Sequence, residues 1–101
     1  MSIQTLTHAL NNLGFATTTA NERVTISDPE HTPFVLTAEV TTAADTITDW
    51  GLTGNISTGN QNMTVRSCFN PGTAALASDG TAQSALLATV AEVHARFHRH
   101  I

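Results

Sequence analysis

The chain of 101 residues contains no lysine and no tyrosine, and only 12% of its residues are charged. Four arginines stand against eight acidic residues, which gives a formal net charge of −4. Binding to a nucleic-acid backbone relies on several Lys or Arg contacts with phosphates, so this composition argues against a nucleic-acid partner. So little charge also means weak repulsion between copies, which favours self-association.

Cysteine and long apolar runs are equally scarce. Cys68 is the single cysteine, so these 101 residues cannot form a disulfide among themselves. No stretch of about eighteen apolar residues is present, so we expect no membrane span and no membrane partner. The first residues lack the basic and apolar regions of a signal peptide, and we therefore expect a cytoplasmic protein. A chain of this length predicts a single domain over residues 1–101.

Threonine and alanine are abundant where charged residues are missing. The chain has eighteen threonines, and β-branched side chains of this kind favour strands. A lysine-free composition rich in threonine and alanine suggests a GC-rich genome, such as that of an actinobacterium or one of its phages.

Two segments show the three- and four-residue spacing of an amphipathic helix. The first predicts a helix over residues 2–13, with Gly14 as its left-handed C-cap, from Ile3, Leu6, Leu10 and Leu13. The second predicts a helix over residues 81–99, with Asp79 or Thr81 as its N-cap, from Leu86, Val90, Val93 and Phe97.

The middle of the chain alternates between apolar and polar residues, as strands do. Two prolines predict a loop over residues 28–33, and a polar, glycine-rich composition predicts a mobile hairpin loop over residues 54–62. The alternation slips within one strand, which indicates a bulge near Trp50 and Gly51 or a strand covered on both faces. The predicted strands are residues 15–19, 23–27, 34–40, 46–53 and 63–69.

Together these elements predict an α+β fold. We expect an N-terminal helix, a four- or five-stranded antiparallel sheet and a long C-terminal helix, with both helices on one face of the sheet. The element order is similar to that of type III secretion chaperones, but those proteins have a helix in mid-chain, where residues 41–62 offer none. No motif identifies a family.

The second face of such a sheet has no helix to cover it. We expect threonines there, and four side chains that we predict as the partner-binding residues: Trp50, Arg66, Glu39 and Cys68. An exposed tryptophan supports this interpretation, because tryptophan is enriched among the residues that dominate interfaces. The alternative is an ordinary antiparallel sheet with one solvated face and no partner.

His94 and His98 lie four residues apart on the second predicted helix, so both rings project from one side. That is the geometry of a two-histidine metal pair. The neighbouring Arg96 and Arg99 oppose a cation, and the pattern also fits a helix end whose basic side chains interact with free carbonyls. We therefore expect no metal and no cofactor. If a metal does bind, His94 and His98 are the candidate ligands.

Catalysis has little support in the sequence. Arg66 and Cys68 would share one face of a strand, and a guanidinium can activate a nearby thiol. Nucleophilic catalysis would also need a histidine, and no local signature supplies one. The carboxylates are scattered, and no glycine-rich segment precedes a helix to cradle a phosphate. We therefore predict that the chain is not an enzyme.

These observations predict a small, non-enzymatic protein-binding module that self-associates through its open sheet face. Its partner would be a second copy or another protein. One alternative is a small inhibitor that sterically blocks a larger enzyme, as phage proteins do. Another is an enzyme that depends on cysteine or metal. It requires either Cys68 beside a histidine, or a third ligand beside His94 and His98.

Overall fold

The computed structural model describes residues 2–43, 46–58, 61–70 and 81–99. Helix α1 (Ser2–Asn12) precedes five strands, and helix α2 (Thr81–Arg99) follows them. The strands pair in chain order into one antiparallel sheet, and the predicted α+β class is confirmed. Their bounds are β1 (Ala16–Ala20), β2 (Arg23–Asp28), β3 (His31–Ala43), β4 (Thr46–Thr58) and β5 (Gln61–Phe69).

Helix α1 ends in a Schellman motif. Gly14 has a φ of 98°, and its N–H donates to the carbonyl of Asn11 at 3.0 Å. The N–H of Phe15 donates to the carbonyl of Leu10 at 3.1 Å, and both side chains are buried in the core, which is the apolar contact typical of this motif. The predicted C-cap is confirmed. Leu13, expected on the apolar stripe, lies past the helix and is exposed.

The first two strands, both predicted from the sequence, pair as a hairpin. Asn21 holds the turn with a φ of 56°, a left-handed conformation that asparagine tolerates. The loop expected over residues 28–33 is shorter in the structure, because β3 already begins at His31. The ladder is irregular here, since the pairing register shifts just before Asp28. An interrupted ladder tolerates Pro33, which has no backbone N–H to donate.

A bulge in β4 explains the slip in its alternation. Ile47 pairs with Thr42 and Asp49 pairs with Thr41, so Thr48 is an extra residue on β4. An extra residue reverses which face the following side chains point to. Ile47 and Trp50 therefore both face the core, and the bulge lies two residues before the position where the sequence suggested one.

The segment over residues 54–62 is not the mobile loop that its composition suggested. Residues 54–58 belong to β4 and residues 61–62 to β5, and the pair Ile56–Met63 continues the ladder. The segment is polar because its other face is exposed. Gly54 pairs with Leu36, and a Cβ at Gly54 would overlap Leu36 Cδ2 and lie 3.0 Å from the carbonyl oxygen of Val35.

Both helices cover one face of the sheet, here called the core face. Their apolar side chains share one buried cluster with that face. From α2 the cluster takes the four residues of the predicted stripe, all 6% exposed or less: Leu86, Val90, Val93 and Phe97. Asp79, one of the two predicted N-cap residues of α2, lies outside the described residues. Among those residues, neither helix is long and apolar enough to span a membrane.

Candidate functional site

Trp50 lies on the core face of the sheet. Its side chain is only 5% exposed, and its indole N–H donates to the carbonyl of Ala82 at 2.7 Å. The ring stacks on Phe69 with 6.0 Å between centroids. The expectation that Trp50 anchors a partner on the open face is therefore wrong, because the bulge at Thr48 turns the tryptophan inward.

The other three predicted partner-binding residues lie on the opposite side of the sheet, here called the open face. Glu39, Arg66 and Cys68 are all exposed there. A cross-strand row runs over four strands, from Arg23 through Glu39 and Gly51 to Cys68. Arg23 and Glu39 form an ion pair at 2.8 Å, which contributes little stability because both side chains are largely in solvent.

A shallow depression of about 740 Å³ opens along this row. Arg23, Glu39 and Cys68 line it, together with Gly51. A Cβ at Gly51 would meet no atom within 4 Å. The missing side chain thus leaves a hollow between the neighbouring strands, and it gives the open face a concave region.

Cys68 is not part of a catalytic pair within the described part of the chain. Its thiol is exposed on the open face. No described histidine hydrogen-bonds to it. His31, His94 and His98 instead contact aromatic side chains of the core. The geometry that a cysteine-dependent enzyme requires is therefore absent from these residues.

The histidines of α2 converge with residues from the turn between β2 and β3. Asp28 Oδ2 lies 2.7 Å from His94 Nε2 and 3.3 Å from His31 Nδ1. His98 Nε2 lies 3.2 Å from His94 Nε2. Ligand atoms of Asp28, His31 and His98 all lie within 4.8 Å of one another. We refer to Asp28, His31, His94 and His98 as the Asp-His cluster.

Asp28 is the buried member of this cluster. Its side chain is 9% exposed, and Oδ1 accepts the backbone N–H of Glu30 at 2.9 Å. Burial raises the pKa of the Asp28 carboxyl, but hydrogen bonds from His94, Glu30 and His31, with the charge of His94, outweigh it and lower the pKa from 3.8 to about 2. Asp28 is therefore an ionised carboxylate at neutral pH, and it can only accept hydrogen bonds.

Aromatic side chains enclose the imidazoles on the core side. The ring of His94 lies nearly perpendicular to those of Phe15 and Phe34, with centroids 4.8 Å and 4.9 Å away. His31 packs edge-on against Phe97 at 5.7 Å. Such contacts restrict how the rings can rotate, so the positions of the donor atoms depend on the core as well as on hydrogen bonds.

The sequence identified half of this cluster. The helical spacing points to His94 and His98. Asp28 looks like one of the scattered carboxylates in the sequence, and His31 falls in a predicted loop. The sequence contains one sign that Asp28 is buried: it continues the alternation in which Val24 and Ile26 face the core. An inward-facing carboxylate needs partners, since a buried unpaired charge is very costly.

A metal site at His94 and His98 requires at least one more ligand. Asp28 and His31, both far from α2 in sequence, lie beside the two histidines and could provide it.

Comparisons with protein-family models, characterised proteins and solved structures found no match for this chain. The functional argument therefore rests on the geometry of the open face and of the Asp-His cluster.

Proposed function

We propose that this chain is a protein-binding module that forms a homodimer through its open sheet face. The observation that supports this most is the charge balance of that face. Its strands carry Arg23 and Arg66 against Glu39 and Asp49, and Glu22 lines the depression at its edge. The described charges of this face therefore sum to −1, whereas the whole chain has a net charge of −4. Two acidic chains can thus meet at this face with little net repulsion.

Two-fold symmetry makes such a face self-complementary, because each patch meets the same patch of the second copy. An arginine from one copy can then lie against an acidic side chain from the other. These charges mainly determine how the two copies align on each other, and they add little to the affinity of the dimer, because electrostatic complementarity mainly gives specificity. A second copy is thus the occupant whose charge pattern the face matches.

The size and composition of the face also suit a dimer. The five strands have between 5 and 13 residues. At about 4.8 Å spacing and an average length of about 30 Å they give a projected area of about 700 Å², close to the roughly 800 Å² per partner of a standard interface. Val35 is 40% exposed on this face, and threonines such as Thr37 and Thr53 surround it. Threonine is stiff at χ1, so ordering it in an interface costs little side-chain entropy.

Two other roles have less support. Nothing in the described structure favours the inhibitor of a larger enzyme over a dimer. A cysteine-dependent enzyme lacks its histidine among the described residues, as shown above. Placement in the cytoplasm stays a prediction from the sequence.

The test is sedimentation equilibrium of the wild type and two charge-reversed variants, with a chelator present. Arg66→Glu changes the open face, whereas Arg96→Glu makes the same charge change on an exposed position of α2. We expect a wild-type dimer with a micromolar dissociation constant, and at least a tenfold weaker dimer for Arg66→Glu. Arg96→Glu should associate like the wild type.

The alkylation rate of Cys68 gives a second readout, because the thiol lies in the proposed interface. It should fall as the protein concentration rises through the dissociation constant. A wild type that stays monomeric at the highest attainable concentration refutes the dimer. Equal association of Arg66→Glu and Arg96→Glu would show instead that the copies meet through another surface.

A further inference from the structure

The Asp-His cluster brings four side chains that can bind metals, one carboxylate and three imidazoles, together from three elements. Asp28 ends β2, His31 begins β3, and His94 and His98 lie one turn apart on α2. Two nitrogens already lie within 3.3 Å of Asp28 Oδ2, and the third lies 3.2 Å from one of these two. Imidazole nitrogens with one carboxylate oxygen are a donor set that suits Zn²⁺ and related transition metals.

The protons present in the cluster cannot satisfy all of these contacts well. His94 Nε2 lies 2.7 Å from Asp28 Oδ2 and 3.2 Å from His98 Nε2. Two ring nitrogens at 3.2 Å have room for only one hydrogen between them, so at least one of them presents a lone pair to the other. A cation would bind such a lone pair better than a shared hydrogen does.

The distances also fit a small tetrahedral site. Metal–ligand bonds of about 2.0–2.1 Å place tetrahedral ligand atoms about 3.3 Å apart. Three of the six separations among the four ligand atoms, 2.7, 3.2 and 3.3 Å, are close to that value. The set whose ligand atoms all lie within 4.8 Å of one another is Asp28, His31 and His98. This triad needs to contract by about 1.5 Å at most, and His98 is its exposed member.

We propose that Asp28, His31, His94 and His98 bind one divalent transition-metal ion of the Zn²⁺ type. His31 and His94 would bind through the nitrogens that now face Asp28, and each would carry its proton on its other ring nitrogen. The second oxygen of Asp28 stays fixed by the N–H of Glu30. Outer contacts of this kind orient metal ligands in proteins.

The arginines of α2 do not block this site. Arg96 lies about 200° around the helix axis from His94, on the opposite side of α2. Arg99 lies about 100° from His98, and both arginines are exposed to solvent, where their charge is screened. The sequence-based argument that these arginines oppose a cation therefore applies only weakly in the folded chain.

A bound ion would join the turn between β2 and β3 to the last turns of α2. Its effect is structural, because four protein ligands leave no open position for a substrate. The site lies on the helix side of the sheet, so the inference does not depend on the proposed dimer.

The experiment is a calorimetric titration of metal-stripped, tag-free protein with Zn²⁺. His98→Ala removes an exposed ligand whose ring contacts the core at Phe97, and His8→Ala removes an exposed histidine of α1 as the control. We expect one ion per chain for the wild type and for His8→Ala. His98→Ala should bind Zn²⁺ at least about 100-fold more weakly. That loss is larger than the one usually caused by removing a hydrogen-bond partner of a metal ligand.

Co²⁺ gives an independent readout of geometry. A tetrahedral Co²⁺ site absorbs strongly in the visible range, whereas a hydrated surface ion absorbs weakly. Strong absorption in the wild type that is lost in His98→Ala supports the site, provided that circular dichroism shows both proteins folded. Weak absorption, substoichiometric Zn²⁺, or equal affinities of His98→Ala and His8→Ala would each overturn the proposal.

Discussion

Replacing Gly54 with alanine is expected to destabilise the fold, although alanine is usually the better residue within a strand. Glycine in a strand interior costs about 0.5–1 kcal/mol relative to alanine because of its freedom in the unfolded chain. At this position, however, the new methyl group would overlap Leu36 Cδ2 and lie 3.0 Å from the carbonyl oxygen of Val35. The backbone oxygen cannot move without disturbing the β3–β4 ladder.

The magnitude follows from these two opposing effects. Leu36 is fully buried, and one extra methyl group in a tightly packed site costs about 1–3 kcal/mol. At the middle of both ranges, the entropic gain of alanine offsets less than half of that cost. We expect a net loss of about 1–2 kcal/mol, which corresponds to a fall of about 5–15 °C in Tm for a domain of this size.

Gly51→Ala is the matched control for this experiment. It lies three residues away on the same strand, but a Cβ there meets no atom within 4 Å. We expect Gly51→Ala to be neutral or to stabilise by up to about 1 kcal/mol. Urea unfolding followed by far-ultraviolet circular dichroism measures the free energy of unfolding of both variants.

A double-mutant cycle with Leu36→Ala tests the physical cause. Truncating Leu36 removes the overlapping methyl group, so Gly54→Ala should cost much less in that background. The coupling between the two sites should be about 1–2 kcal/mol. If Gly54→Ala matches Gly51→Ala in stability, or if the coupling is zero, the steric explanation is wrong.

Two further predictions concern Trp50 and Asp28. Trp50→Phe removes the hydrogen bond to the Ala82 carbonyl and leaves a space in the core. We expect the free energy of unfolding, measured with urea, to fall by about 1–3 kcal/mol. A fall of less than about 0.5 kcal/mol would contradict this expectation. Asp28 has a pKa of about 2 when folded and 3.8 as the ordinary value, so its contribution of about 2 kcal/mol is present above pH 3.8 and disappears as the pH falls through 2. With a chelator present, the difference in unfolding free energy between the wild type and Asp28→Asn should therefore shrink over that range, and a constant difference would refute the role of the carboxylate.

Several elements were predictable because their signals are local. The spacing of Leu86, Val90, Val93 and Phe97 identified α2, and Gly14 identified the end of α1. A helix stripe or a left-handed C-cap is decided by residues a few positions apart. The alternation of the strands likewise predicted one covered and one open face of the sheet, with Glu39, Arg66 and Cys68 on the open face.

The errors arose where one residue changes the register. An extra residue at Thr48 reverses the orientation of Trp50, and nothing in the local composition marks that position. The polar segment over residues 54–62 looked like a loop because periodicity is weak there, but pairing between β4 and β5 holds most of it in the sheet.

The sequence by itself thus determined the class of fold, its two amphipathic helices and the low charge of the whole chain. These properties depend on composition and on spacing along the chain. Only the tertiary structure decided that Trp50 lies in the core and that Asp28 and His31 meet His94 and His98. Asp28 and His94 are 66 residues apart in sequence, and their contact exists because the β2–β3 turn and the end of α2 pack against the same aromatic side chains. No local pattern encodes such a meeting, since it depends on the register of the strands and on the face that the helix covers.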